Sequence, residues 1–241
     1  MKILEQRQDR QDYLRIQIER SQSKFGYCKV SYHDVARYKE IIDLQCMTQP
    51  ERKRLGPILC LGTRNGREVD LFRTVFWGSS FARWATRSFE QYDRSFRSAL
   101  PLLESFGRSD WRAIGPQSVI GVEINPMGER SDIWIGSFDE MPPEWSGRFD
   151  IIFSNSFDQS QDPFRTAHEW RRIARPDGFL IFCFSSQSEP NAHDPVAGIT
   201  RDDVIRLFGN DLVYYRKSGS AVRYHEAILR LALSRKTAGE A

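Results

Sequence analysis

Two stretches of the sequence combine residue types that could hold a ligand. The apolar run Ile58-Leu59-Cys60-Leu61 leads into Gly62-Thr63-Arg64-Asn65-Gly66-Arg67-Glu68, and a helical pattern follows at once. Glycines at a strand-to-helix turn let backbone approach a ligand closely, and the helix N-terminus beyond supplies N–H groups without intrahelical partners. The turn is not a P-loop, because no Gly-Lys-Ser/Thr follows, and it is not GxGxxG. A plain structural turn after a parallel strand is the alternative. The second stretch is Val119-Ile120-Gly121-Val122-Glu123-Ile124-Asn125-Pro126. An acid at the carboxyl end of a second strand, beside the turn of the first, can accept hydrogen bonds from both hydroxyls of a ribose. A solvated strand-end carboxylate is the plainer reading, and the apolar residues around Glu123 weigh against it.

These residues need a frame. From Gly56 onward, short apolar runs bounded by Gly, Pro and Asp alternate with helical stretches: Ile58 to Leu61, Val119 to Ile124, Ile151 to Phe153, Phe179 to Phe184 and Leu212 to Tyr215. Such runs read as buried parallel strands joined by crossover helices, which predicts a doubly wound α/β domain. Asp162-Pro163 opens a helix through His168-Glu169-Trp170. Residues 1 to about 24, with Ile3, Leu4, Tyr13, Leu14, Ile16 and Ile18, predict an N-terminal helix, and His33 to about Leu44 a second one capped by Ser31. About fifty residues separate Glu68 from Val119, far more than one crossover needs, so an insertion is expected at about 73–118. It interleaves Phe76, Trp77, Phe81, Trp84, Phe89 and Phe96 with arginines, types suited to packing, to a homodimer contact or to a peripheral membrane surface.

Composition narrows the setting. A chain of 241 residues accommodates one α/β domain with additions. No stretch approaches the roughly 18 apolar residues of a spanning helix. The N-terminus lacks a secretory pattern, so a cytoplasmic location is expected. Cys28, Cys46, Cys60 and Cys183 contain no CxxC pair, which predicts neither zinc nor a disulfide framework; Cys60 and Cys183 read as strand core. A net charge of +3 is small for general phosphate neutralisation, so nucleic acid is disfavoured as a partner.

Further along come Gly136-Ser137-Phe138-Asp139, the run Phe149 to Asn155, and Ile173-Ala174-Arg175-Pro176-Asp177-Gly178 before another strand. In this order and spacing the segments, from about residue 56 to 232, resemble the class I S-adenosylmethionine-dependent methyltransferases. Gly62 and Gly66 match the glycine-rich first motif, Glu123 its ribose acid, and Ser137, Phe138 and Asp139 its adenine loop. Residues 149–155 match the fourth-strand phrase and residues 173–178 the "LRPGG" helix end. The chain departs from the pattern at Cys60, where the family often has an acid, and at Arg64, where it has a middle glycine.

The resemblance implies a mostly parallel seven-stranded sheet of the Rossmann-like methyltransferase type over residues 56–235. N-terminal helices would occupy 1–55, the helical insertion would follow the first αβ unit, and 236–241 would form a polar tail. It implies S-adenosyl-L-methionine as cofactor, without a metal. Gly62, Thr63, Arg64, Asn65, Gly66, Glu68, Glu123, Ile124, Ser137, Phe138, Asp139 and Asn155 would bind it. The methyl acceptor would be an oxygen or nitrogen of a small molecule or saccharide. Since ligands bind beyond the carboxyl ends of such strands, Asp158 is the first choice for acceptor contact or base, with a turn-forming Asp as its alternative. His193, beside Asp194, is the second choice. A non-catalytic cofactor-binding or scaffold subunit and a nicotinamide-dependent oxidoreductase are the competing functions.

Overall fold

The computed structural model describes residues 1–4, 9–26, 28–48, 55–92, 109–185, 189–209, 212–217 and 224–231. Lys2–Ile3 form a short strand, β1, rather than the start of a helix. Their backbone groups are taken by antiparallel pairing with Val196–Ala197, continued by Leu4 N–H donating to the Pro195 carbonyl. The expected helix therefore starts later, as α1 over Arg10–Ser23. The second, α2, spans Tyr32–Met47, with Ser31 and Asp34 forming the reciprocal capping box that satisfies two N-terminal N–H groups.

The chain divides into two compact units, Gln8–Phe138 and Met1–Arg7 with Asp139–Ala241. The first contains β2 (Ile58–Leu61), α3 (Arg67–Trp77), α4 (Ser80–Tyr92), β3 (Val119–Glu123) and β4 (Ile133–Ile135). Its strands run parallel in the order β4-β3-β2, with Ile58 opposite Val119 and Gly121 opposite Ile133. Every residue of β2 and β3 is buried, as expected for strands covered on both faces. The second unit contains β5 (Phe149–Ser154), α5 (Pro163–Ile173), β6 (Ala174–Ser185), β7 (Val196–Ala197), α6 (Arg201–Phe208), β8 (Leu212–Lys217) and β9 (Tyr224–Arg230). Here β5 and β6 are parallel, and β9 runs antiparallel to both β6 and β8. The strands belong to the mostly parallel seven-stranded sheet of a Rossmann-like α/β fold.

Local chemistry explains the boundaries. Asp162 caps α5 by accepting from Arg165 N–H, with Pro163 at the first helical position. Thr200 and Asp203 form a second capping box on α6. α3 continues through Phe76 and Trp77, so these two belong to the first crossover helix, and Phe76 is buried against Phe72. By contrast, Phe81 and Trp84 on α4 are 68% and 63% exposed and lie side by side. Phe96, the Phe89 side chain and the C-terminal tail lie outside the described residues. Cys60 and Cys183 are buried strand residues, as expected.

Candidate functional site

In the first unit, the turn after β2 holds three left-handed residues at alternate positions: Gly62 (φ 74°), Arg64 (φ 48°) and Gly66 (φ 77°). Glycine takes this conformation without steric penalty, whereas an L side chain is strained there, so Arg64 adopts the turn's backbone despite its Cβ. Close packing fixes the turn from both sides. A Cβ on Gly66 would lie 2.5 Å from Arg130 Nη1 and 2.6 Å from Ile133 Cδ1, and one on Gly128 would lie 2.3 Å from the Arg64 carbonyl. Thr63 is buried against Gly121, whose added Cβ would meet the Thr63 hydroxyl at 2.9 Å.

Glu123, at the end of β3, points its carboxylate onto this turn. Oε2 accepts from Arg64 N–H at 2.6 Å, and Oε1 accepts from Asn125 N–H at 3.0 Å and from the Ser21 hydroxyl at 2.9 Å. The group is only 2% exposed. Asn65 ties the turn to the end of α1, its Nδ2 donating to the Phe25 carbonyl at 2.8 Å while its Oδ1 accepts from Arg67 N–H at 3.1 Å. Glu68 is buried in the first turn of α3. Burial, then the Glu68 carboxylate, pushes the Cys28 and Cys60 thiols well above the usual range, so both stay protonated. Ile124, Ser137 and Phe138 are half-buried. Behind the turn, Arg130 donates to both Asp70 and Asp132, and Arg73 pairs with the same two carboxylates.

The second unit carries the remaining candidates. Asp139 Oδ1 accepts from the Thr166 hydroxyl on α5, which also bonds the Ser160 hydroxyl at 2.6 Å. Asn155, just past β5, accepts from the Ser156 hydroxyl at 3.0 Å, and Ser156 N–H donates to Ser154 Oγ at 3.1 Å. Asp158 sits in a 3-10 turn over Phe157–Gln159 and is buried. Its neighbour Phe157 anchors that turn in an aromatic cluster, 5.3 Å from Trp170, 5.6 Å from Phe182 and 5.7 Å from Phe208. His193 is exposed and Asp194 beside it is buried, and the backbone N–H groups of both donate to Asn191 Oδ1, at 2.8 and 3.0 Å.

Ser21 was not legible as a site residue. The only signal is the α1 face Tyr13, Gln17, Ser21, spaced by four and buried throughout, on a helix otherwise read as a polar extension. Among the described residues, no cluster of three or more His, Cys, Asp or Glu is placed to hold a metal ion, and no helix is long and apolar enough to cross a membrane.

No protein-family model and no curated protein matches the sequence. Among solved structures, the chain is similar to the Burkholderia thailandensis 1,6-didemethyltoxoflavin-N1-methyltransferase, solved with 1,6-didemethyltoxoflavin and S-adenosylhomocysteine. The identity is 15%, over 93% of this chain and 91% of that one, with a TM-score of 0.53. A Thermotoga maritima S-adenosylmethionine-dependent methyltransferase aligns at 12% identity over 91% and 98% of the two chains, with a TM-score of 0.46. The CurJ carbon methyltransferase aligns at 9% identity and a TM-score of 0.47, over 79% of this chain and 52% of that one, so the chain spans about half its length. With the sheet described above, the first alignment identifies the fold as that of the class I, Rossmann-like methyltransferases.

Proposed function

We propose that this chain binds S-adenosyl-L-methionine and transfers its methyl group to an oxygen or nitrogen of a small molecule or saccharide. One observation carries the reading: the Glu123 carboxylate at the end of β3 is bonded directly to the backbone of a turn with left-handed residues at positions 62, 64 and 66. A carboxylate suits a ribose diol, and a turn with backbone at close approach suits the rest of such a cofactor, so the residues present fit the group. Gly62, Thr63, Arg64, Asn65 and Gly66 would line the turn, with Glu68 beyond it. Glu123 and Ile124 would hold the ribose side, and Ser137, Phe138 and Asp139 the adenine side. Asn155 completes the set.

When bound, the cofactor supplies an electrophilic methyl group. The chain's own part is alignment, since an in-line displacement gains much of its acceleration from positioning. Asp158, held by the Phe157 cluster, is the residue we assign to orienting the acceptor or accepting its proton, with His193 as the second choice. In this reading residues 56–235 are the methyltransferase domain, and residues 1–55 and the insertion that follows α3 shape access to it. The exposed pair Phe81 and Trp84 is the surface we assign to contact with a second copy.

Titration calorimetry with S-adenosylmethionine, S-adenosylhomocysteine and NAD tests the cofactor; binding of NAD alone would overturn the reading. Screening metabolite-sized acceptors for release of S-adenosylhomocysteine identifies the substrate class.

A further inference from the structure

Glu123 already has three hydrogen-bond donors, and they are not alike. Arg64 N–H and Asn125 N–H are backbone groups of the turn and of the strand's own continuation, so they cannot leave without unravelling the site. The third donor is the hydroxyl of Ser21, which belongs to a separate element, α1. A carboxylate oxygen offers two lone-pair directions. On Oε1 both are taken, one by Asn125 N–H and one by Ser21. A ribose diol that donates to both carboxylate oxygens needs the direction Ser21 fills. Ser21 is itself only 6% exposed, so no ligand reaches Oε1 past it while α1 stays in place.

The way α1 is built suits it to moving. Its fully buried residues are one aromatic, one amide and one hydroxyl, namely Tyr13, Gln17 and Ser21, while Leu14, Ile16 and Ile18 are only half-buried. Asp9 at its N-terminus makes no side-chain capping bond. Elements with little apolar burial and uncapped ends open at low free-energy cost. The other end is tethered. The Phe25 carbonyl is held by Asn65 of the glycine turn, and next to it, among the described residues other than its chain neighbours, none has an atom within 4 Å of where a Cβ on Gly26 would sit. A helix fixed at residue 25, followed by an uncrowded glycine, can pivot without detaching.

We propose that α1 is a gate on this site, with the Ser21 hydroxyl standing in for a ribose hydroxyl on Glu123, so that the cofactor enters only as α1 pivots about residues 24–26. The gate rests on the cofactor reading above. Removing the hydroxyl removes a bond that must be broken before binding. Ser21→Ala therefore binds S-adenosylhomocysteine about three- to tenfold more tightly than the unmodified chain, the range that the net worth of one typical hydrogen bond sets.

The test is titration calorimetry of the full chain and of Ser21→Ala with S-adenosylhomocysteine, paired with amide hydrogen exchange over residues 10–23. Tighter binding by Ser21→Ala is expected, together with faster α1 exchange in the unmodified chain on adding ligand and in Ser21→Ala without it. Weaker binding by Ser21→Ala would make Ser21 a ligand contact and overturn the gate. So would equal affinity, or α1 exchange that slows on binding. Binding by both proteins without the gain for Ser21→Ala rejects the gate and leaves the cofactor reading standing. Failure of both proteins to bind S-adenosylhomocysteine rejects the two together.

Discussion

Glu123 should be as important to folding as to binding, and Glu123→Gln separates the two roles. The side chain keeps its length and shape but exchanges one acceptor oxygen for an NH₂ donor. If the amide oxygen takes the Oε1 position, the NH₂ faces Arg64 N–H across the 2.6 Å contact. If the amide is flipped, the NH₂ faces Asn125 N–H across the 3.0 Å contact, even though the Ser21 hydroxyl can rotate to accept. Either way one buried backbone N–H loses its acceptor, which costs about 1–3 kcal/mol, and the surviving bonds lose charge assistance worth about 1 kcal/mol more. A destabilisation of about 2–4 kcal/mol follows, or a fall in Tm of about 5–12 °C for a chain of this size. Thermal and urea unfolding without ligand measure it. A Tm within about 2 °C of the unmodified protein would refute the hydrogen-bond cage described for Glu123. Calorimetry on the folded mutant below its Tm then reads the binding role, with S-adenosylhomocysteine affinity expected to drop at least tenfold.

Asp132 is fully buried between two guanidinium groups, so Asp132→Asn leaves Arg73 and Arg130 undercompensated and should cost about 3 kcal/mol in urea unfolding. Gly66→Ala puts a methyl 2.5 Å from Arg130 Nη1 at a φ of 77°; a loss of about 2 kcal/mol or more by the same assay, with weaker cofactor binding, is expected. Asp158→Asn should leave the S-adenosylhomocysteine Kd unchanged and lower turnover at least tenfold; full turnover would reduce Asp158 to a turn residue. Burial would raise the Glu169 carboxyl above its ordinary 4.5, but the hydrogen bonds from Arg172 and from Met141 N–H, with the Arg172 charge, outweigh it and hold the group below that value. A depressed folded-state value contributes stability that is complete above the unfolded carboxyl pKa and is lost as pH falls through the folded one. Glu169→Gln should therefore flatten the acid limb of the stability profile below about pH 4.5, measured by urea midpoints from pH 3 to 7.

The strands were legible because their burial is written in composition. β2, β3 and β5 each carry a short apolar run, Ile58 to Leu61, Val119 to Val122 and Ile151 to Phe153, and the caps of α2 and α5 are visible as Ser31 and Asp162-Pro163. What could not be read was a competition settled by partners remote in sequence. Ile3 and Leu4 looked like helix residues until Val196–Ala197 offered their backbone an antiparallel partner. Phe76 and Trp77 looked like part of an insertion because aromatic content continues unbroken into α4, and burial separates Phe76 from the exposed Phe81 and Trp84.

The site shows the same limit in its backbone. Glycine spacing is a proxy for positive φ, and it fails where the chain accepts strain instead. Arg64 at φ 48° and Asp177 at φ 71° hold left-handed positions with L side chains, each secured from outside the turn. For Arg64 the anchor is Glu123, which accepts its N–H, and for Asp177 it is Arg230, which donates to its carboxylate at 2.7 Å. A left-handed residue of this kind costs about 1–3 kcal/mol and persists only when its surroundings over-determine it. Reading Arg64 as a lost glycine thus mistakes a change of residue for a change of conformation: the turn keeps its shape, and the Glu123 carboxylate that would meet a ribose is also what holds it there.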